Sequence, residues 1–177
     1  MQKKYFALAL LIVFVLTGCA GNPNVSTMDI HKDGTVKSYI VEEFGASYYD
    51  AEELKSSVME DILHTNELQE QTVIELLEYE LAEGILKATI EYQNAGAYES
   101  FNEETLFVGL WEEAVAEGYA VDANIKNENY HIVIFTEPVD VKVPKKIVYV
   151  SDGLQKTSSK KVTVTDKEKE IYYIIYE

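Results

Sequence analysis

The most specific chemistry in this chain of 177 residues belongs to its only cysteine, Cys19. It closes the run Leu16-Thr17-Gly18-Cys19, behind the apolar stretch Tyr5 to Val15 and two lysines, Lys3 and Lys4. A thiol is the one side chain nearby that can form a thioether with a diacylglycerol. Thr17 and Gly18 are small enough to let a peptidase reach the backbone beside a lipid-bearing residue. A cationic start, a short apolar run and a small-residue cleavage region make an export signal. The run is about a dozen residues, and crossing a bilayer takes roughly 20, so it is too short for a stable transmembrane helix. An aliphatic residue, two small ones and a cysteine match the bacterial lipobox, whereas an ordinary secretory signal ends in an A-x-A-like pattern. The sequence therefore predicts a cleaved signal peptide over 1–18, lipidation of Cys19, and a tether over 19–27. The plain alternative is a core cysteine in a secreted protein. With one cysteine the mature chain forms no internal disulfide and offers no free thiol once lipidated. Two or three acyl chains on one residue meet the two-signal requirement for stable anchoring. The expected location is the extracytoplasmic face of the cell membrane, and the membrane itself is the first partner, through the diacylglycerol on Cys19.

Other chemical signatures are missing from the sequence. It contains no G-x-S-x-G elbow, H-E-x-x-H, phosphate-binding loop, dinucleotide fingerprint or D-x-D-x-D-G calcium loop. The histidines His31, His64 and His131 stand far apart. Asp29, His31 and Asp33 share a parity and are metal-ligand types, but on an exposed strand such residues are also ordinary surface, and Asp33 has a turn to make. Neither a metal, a cofactor nor a catalytic residue is assigned. Carboxylates are so common that no pair stands out, because general acid–base work needs a specific separation and burial. Among the 13 tyrosines, Tyr48, Tyr49, Tyr92 and Tyr98, with Trp111, could line a sugar or lipid groove. The same residues near element ends also serve as core and rim.

The charge is large and uneven. Acidic residues number 31 against 15 lysines, with no arginine, for a net charge of −16. Nucleic-acid binding needs a basic footprint, which this composition excludes. Between Glu42 and Glu128 there are 22 acids and three lysines, Lys55, Lys87 and Lys126. From Asn129 to Glu177 there are seven acids and eight lysines. The acidic block reads either as solvated helix faces that keep the protein soluble or as a surface for cations or a cationic envelope partner. If the two sections occupy different faces, the face with Lys142, Lys145, Lys146, Lys156, Lys160 and Lys161 is expected to turn toward an anionic membrane. A tether of eight flexible residues reaches about 16 Å, so the domain stays close to that surface.

These groups need elements to hold them. A hairpin is expected from Met28 to Phe44, with Asp33-Gly34 as a two-residue turn. Asp50-x-x-Glu53 is a capping box opening a helix, and Leu54, Val58 and Ile62 mark its buried stripe, with His64 near its end. Residues 67–83 favour helix by propensity, yet Val73, Glu75, Leu77, Tyr79 and Leu81 alternate, as do Leu86, Ala88, Ile90 and Tyr92. The alternation predicts a second hairpin over 73–92. Asn94 to Asn102 predicts a short helix, Thr105 to Val108 a buried strand, and Trp111 to Glu117 a helix stopped by Gly118. The polar stretch 122–129 reads as a loop. Strands follow over His131–Thr136, Val139–Val143, Ile147–Val150, Val162–Val164 and Ile171–Tyr176. Both parities of Ile-Tyr-Tyr-Ile-Ile-Tyr are apolar, so that last strand is central or covered on both faces. The expected fold is a single α+β domain over 28–177. It consists of antiparallel hairpins packed with one long and one or two short helices, and its C-terminal half is β-rich.

Three stretches carry a resemblance. The first is Lys32-Asp33-Gly34-Thr35-Val36 with Ser47-Tyr48-Tyr49-Asp50 and Glu53-Leu54-Lys55. The second is Phe101-Asn102 through Glu104 to Gly109. The third is Glu137-Pro138-Val139-Asp140-Val141 with Val148 to Gly153. Together the chain is similar to a family of surface lipoproteins from Gram-positive anaerobes, over nearly all the mature sequence. That resemblance implies a surface location and no assigned activity. The opening hairpin is also similar to the LppM-like lipoprotein domain, which implies lipid binding for some members. The sequence thus supports a non-enzymatic, membrane-anchored binding or interaction module of unknown ligand. Its alternatives are an envelope hydrolase using a carboxylate pair, which would need a cleft with two acids of raised pKa, and a lipid-binding domain, which would need an apolar cavity.

Overall fold

The computed structural model describes residues 23–44, 50–121, 127 and 129–177. The expected signal peptide, Cys19, the start of the tether, Tyr48, Tyr49 and most of the expected loop over 122–129 lie outside the described residues.

The chain enters through β1 (Thr27–Ile30), which pairs antiparallel with β2 (Val36–Glu43). The turn between them is one residue longer than expected. The His31 N–H donates to the Thr35 carbonyl at 2.9 Å, leaving residues 32–34 as the loop, with Gly34 at φ 89°. A turn followed by one left-handed residue suits strand twist, and Gly34 supplies that residue. Asp33 Oδ1 accepts from the Thr35 N–H at 3.1 Å and from Thr35 Oγ1 at 2.7 Å, which holds its carboxyl below the ordinary range.

Asp50 opens α1 (Ala51–Leu68), its Oδ1 accepting from the N–H groups of Glu52 and Glu53 at 2.9 and 3.2 Å. No glycine ends the helix; Glu70 takes a left-handed conformation at φ 54° instead. β3 (Ile74–Ala82) and β4 (Ile85–Tyr92) then form the expected second hairpin, joined by Glu83 and Gly84, both at positive φ. Residues 67–83 thus divide: 67 and 68 close the helix, and 74–82 are strand. The single alternation expected along β3 is broken by a bulge at Leu77, where the register shifts between Leu76 and Glu78. Before it, Ile74 and Leu76 lie opposite Tyr92 and Ile90; after it, Tyr79 and Leu81 lie opposite Ala88 and Leu86. An extra residue resets a period-two pattern, so apolar side chains of both halves share one face.

The remaining elements are α2 (Ala95–Asn102), β5 (Leu106–Leu110), α3 (Trp111–Ala116), β6 (His131–Phe135), β7 (Asp140–Lys142), β8 (Ile147–Val150), β9 (Leu154–Lys156), β10 (Lys161–Val164) and β11 (Tyr172–Tyr176). They complete an α+β fold of two sheets, with a strand-rich C-terminal half. The larger sheet has the order β3-β4-β2-β1-β7-β10-β9, with only β1 and β7 parallel. The smaller has the order β5-β6-β11-β8.

One core joins the sheets. Met28, Ile30, Val36 and Tyr92 of the larger meet Leu106, Val133, Phe135 and Ile174 of the smaller. The opposite face of the smaller sheet buries Ile132, Ile134 and Ile175 with Ala114 of α3. β11 is therefore central and covered on both faces, which is why both of its parities are apolar. The outer face of the larger sheet instead carries a charged row. Glu75, Glu91, Lys37, Asp29, Lys142 and Lys161 stand in register across β3, β4, β2, β1, β7 and β10.

Candidate functional site

Among the described carboxyls, the one whose pKa is raised is Glu137, on the connection between β6 and β7. Tyr98, buried on α2, donates its hydroxyl to Glu137 Oε2. Asn94 caps that helix by accepting from the Ala97 N–H at 2.9 Å, which fixes where Tyr98 points. Tyr92 packs edge-on against Tyr98 at 5.1 Å between ring centres and reaches Asn102 Oδ1 at 3.4 Å. Burial pushes the Glu137 carboxyl up; the Tyr98 hydroxyl opposes this, and the nearby charges of Glu104 and Glu42 add to it. Burial also raises both phenols, Tyr92 to about 12. A carboxyl raised in this way suits a general acid. Here, however, Glu137 is committed to a core tyrosine, and Glu104 Oε2 accepts from Thr136 Oγ1 at 2.6 Å. The adjoining open cleft, about 860 Å³, is lined by Ser26, Glu42, Glu43, Glu137, Asp140 and Lys167. It lies where the N-terminal segment joins the domain.

The metal-ligand types on the first hairpin are occupied. Asp29 Oδ2 accepts from Lys142 Nζ at 2.6 Å, with His31 Nε2 3.8 Å away, and Asp33 closes its own turn. Among the described residues no group of three His, Cys, Asp or Glu converges on a metal position. His31 and His131 line one cleft of about 530 Å³ with Lys32 and Lys145, and His131 stacks on Tyr176 at 5.3 Å. His64 is exposed on α1 and meets neither. Some of the tyrosines fill the core: Tyr92, Tyr98 and Tyr172 are among the largest fully buried side chains, and Tyr172 stacks on Phe135 at 5.2 Å.

Three lysines of the lysine-rich section pair with acids. Lys142 pairs with Asp29, Lys161 with Asp140 at 2.9 Å and Lys146 with Glu177 at 3.4 Å. Lys156 and Lys160 donate to the carbonyls of Ile147 and Pro144. The position of this section matters as well. Thr27, the last residue of the expected tether, is instead the buried first residue of β1 and lies opposite Asp140, whereas Asp29 lies opposite Lys142, and Lys160 follows beyond. At about 3.3 Å per strand residue, Lys142 and Lys161 sit about 7 Å and Lys160 about 10 Å along the strands from Thr27. The cleft at the Thr27 end carries Glu42, Glu43, Glu137 and Asp140, with Lys167.

The remaining candidate is the flank formed by α1 and the edge strand β3. Tyr79 Oη donates to the Ala51 carbonyl at 2.8 Å, which fixes the start of the helix over the strand. Asn66 fixes its end: Oδ1 accepts from the N–H groups of Val73 and Ile74, and Nδ2 donates to the Ile74 carbonyl at 2.9 Å. The side-chain amide thus occupies the strand edge at Ile74, as another strand would. The buried stripe expected on α1 is only partly buried. Ile62 is covered and Val58 half-covered, but Leu54 is 39% exposed. The helix packs chiefly on β3, so one strand covers only the middle of a wider apolar arc. Met59 and Leu63, one turn apart, are 52% and 59% exposed along one flank of that row, and Leu68, 71% exposed, stands on the other flank with Leu54. Among the described residues, no ion pair engages Glu52, Glu53, Glu60, Asp61 or Glu67 of α1, or Glu75 of β3. Lys55, the one lysine of α1, lies over the Tyr79 ring at 5.6 Å. The sequence signal for this site was present in Met59 and Leu63 at i, i+4, one position off the Leu54–Val58–Ile62 row.

No protein-family model, curated protein or solved structure matches this chain.

Proposed function

We propose that this protein is a lipid-anchored module of the cell envelope that acts by binding, through the α1–β3 flank, and not by catalysis. The single observation that carries the reading is the exposure of Met59 and Leu63, one helical turn apart, beside glutamates that form no ion pair among the described residues, on a helix whose ends are firmly held. Soluble domains scatter single apolar residues over their surface, but a contiguous rimmed patch marks an interaction site. The carboxylates that a hydrolase would use are engaged with Tyr98 and Thr136. Core packing occupies Tyr92 and Tyr98, two of the tyrosines that a lipid groove would need. The lipobox ending at Cys19 supplies the anchor, and the acidic end of the domain lies beside the tether. The resemblance to Gram-positive surface lipoproteins is consistent with this location.

Two measurements in cells test the reading. Cys19→Ser should leave an unprocessed precursor; a variant matured and partitioned into detergent like the wild type removes the anchor. A photo-crosslinking residue in place of Leu63 should yield discrete adducts in the envelope, and one in place of Gln155 on β9 should not. Absence of adducts from position 63 contradicts the binding flank.

A further inference from the structure

Resting on that reading, we infer that the occupant of the α1–β3 groove is a cationic amphipathic segment of another protein, seated with its apolar side on α1 and its basic side chains at the rim. The groove runs between the exposed side of α1 and the first half of β3, with a volume of about 430 Å³. Met59, Ile62, Leu63 and Leu76 give it apolar walls, and Glu60 and Glu75 stand at its margins. An apolar side chain lying there covers Met59 and Leu63, which the strand below cannot reach. Such burial is the driving term, and the surrounding charge selects the partner.

The charge decides among three possible occupants. A second copy docked through the same face would bring one acidic rim, with Glu60, Glu67 and Glu75, against the other, and like charges in contact are disfavoured. An anionic membrane meets the same repulsion. A segment bearing lysine or arginine on either side of apolar residues answers both features of the groove, in the manner of a helix laid into a hydrophobic cleft. β-strand addition fits less well, because Asn66 already occupies the β3 edge at Ile74 and the bulge at Leu77 interrupts it further on.

The test uses the full chain in a neutral detergent, titrated with a synthetic amphipathic peptide of leucine and lysine. Its controls are the same peptide with glutamate in place of lysine, and vesicles of anionic lipid. The lysine peptide should bind saturably and more weakly as salt rises. Leu63→Glu should weaken binding by about tenfold or more, the scale expected for losing one buried leucine. Glu60→Lys with Glu75→Lys should weaken it while leaving Leu63 in place; both sites are exposed, so folding is not at stake. Binding that ignores both sets of changes, or equal binding of the glutamate peptide, overturns the inference. So does self-association, or capture by anionic vesicles, that Leu63→Glu abolishes. If the peptide fails while adducts from position 63 persist in cells, the occupant is wrong and the binding flank stands. If the adducts are missing too, the flank reading has failed with it.

Discussion

On the β1–β7–β10 side of the larger sheet, Asp29, Lys142, Asp140 and Lys161 all meet opposite charges, and Met28, Val141 and Val162 are fully covered. On the α1–β3 side, Glu60, Glu67 and Glu75 stand without counter-ions among the described residues, while Met59, Leu63 and Leu68 face solvent. Both sides belong to one sheet and one core. The difference lies in what each side has to pack against. β1 and β7 lie in the middle of the larger sheet, over the smaller one, so their apolar face is buried as a matter of course. β3 is an edge strand with a single helix on it, and that helix is wider in its apolar arc than the strand beneath. A side that is closed by its own residues holds the fold; a side left open is available to something else.

That contrast can be broken from its strong end. Phe135 is fully buried and stacks on Tyr172 at 5.2 Å, so Phe135→Ala should cost about 3–5 kcal/mol in chemical denaturation. A loss under about 1 kcal/mol would mean that the space between the sheets is not the core. Asn66→Ala comes next. It strips partners from the N–H groups of Val73 and Ile74 and from the Ile74 carbonyl, all buried, and should cost about 1–3 kcal/mol. Faster amide exchange at Val73 and Ile74 than at Met28 would show that the damage stays on the α1–β3 side.

Glu137→Gln should have a smaller effect whose sign depends on pH. A carboxyl with a raised pKa in the fold binds more protons folded than unfolded, so its contribution is full below the ordinary glutamate pKa and fades as pH rises through the raised value. A glutamine side chain at this position is neutral at every pH and still accepts from Tyr98. The variant should therefore match the wild type in acid and exceed it in stability near neutrality. Equal stability at both pH values would mean that Glu137 is solvated and its tie to Tyr98 is of no consequence.

Much of this fold was legible because its signals are local. Asp50 and Asn94 cap helices as their types suggest, Glu83-Gly84 makes a hairpin turn, and the two-sided apolarity of Tyr172–Tyr176 predicts its central place. The end of α1 was not legible, because Glu70 takes the left-handed conformation that glycine usually signals. The bulge at Leu77 was also hidden, since it splits one regular alternation into two half-strands that only their pairing with β4 reveals. The site was the least visible part. Leu54, Val58 and Ile62 read as one buried row, and which of them is covered depends on α1 lying on an edge strand. The lysine section looked like a free basic face until its register against Asp29 and Asp140 was known.

The smallest expected change in stability tests the contrast most directly. Leu63 is 59% exposed, so Leu63→Glu should leave the melting temperature unchanged within about 1 °C, as surface substitutions usually do. The same variant, carrying the photo-crosslinking residue in place of Met59, should lose the envelope adducts that this position gives in an otherwise wild-type chain. Unchanged melting with lost adducts is the predicted result. A melting temperature lowered by several degrees would place Leu63 in the core, and unchanged melting with undiminished adducts would show that the open side of α1 is not where this protein binds.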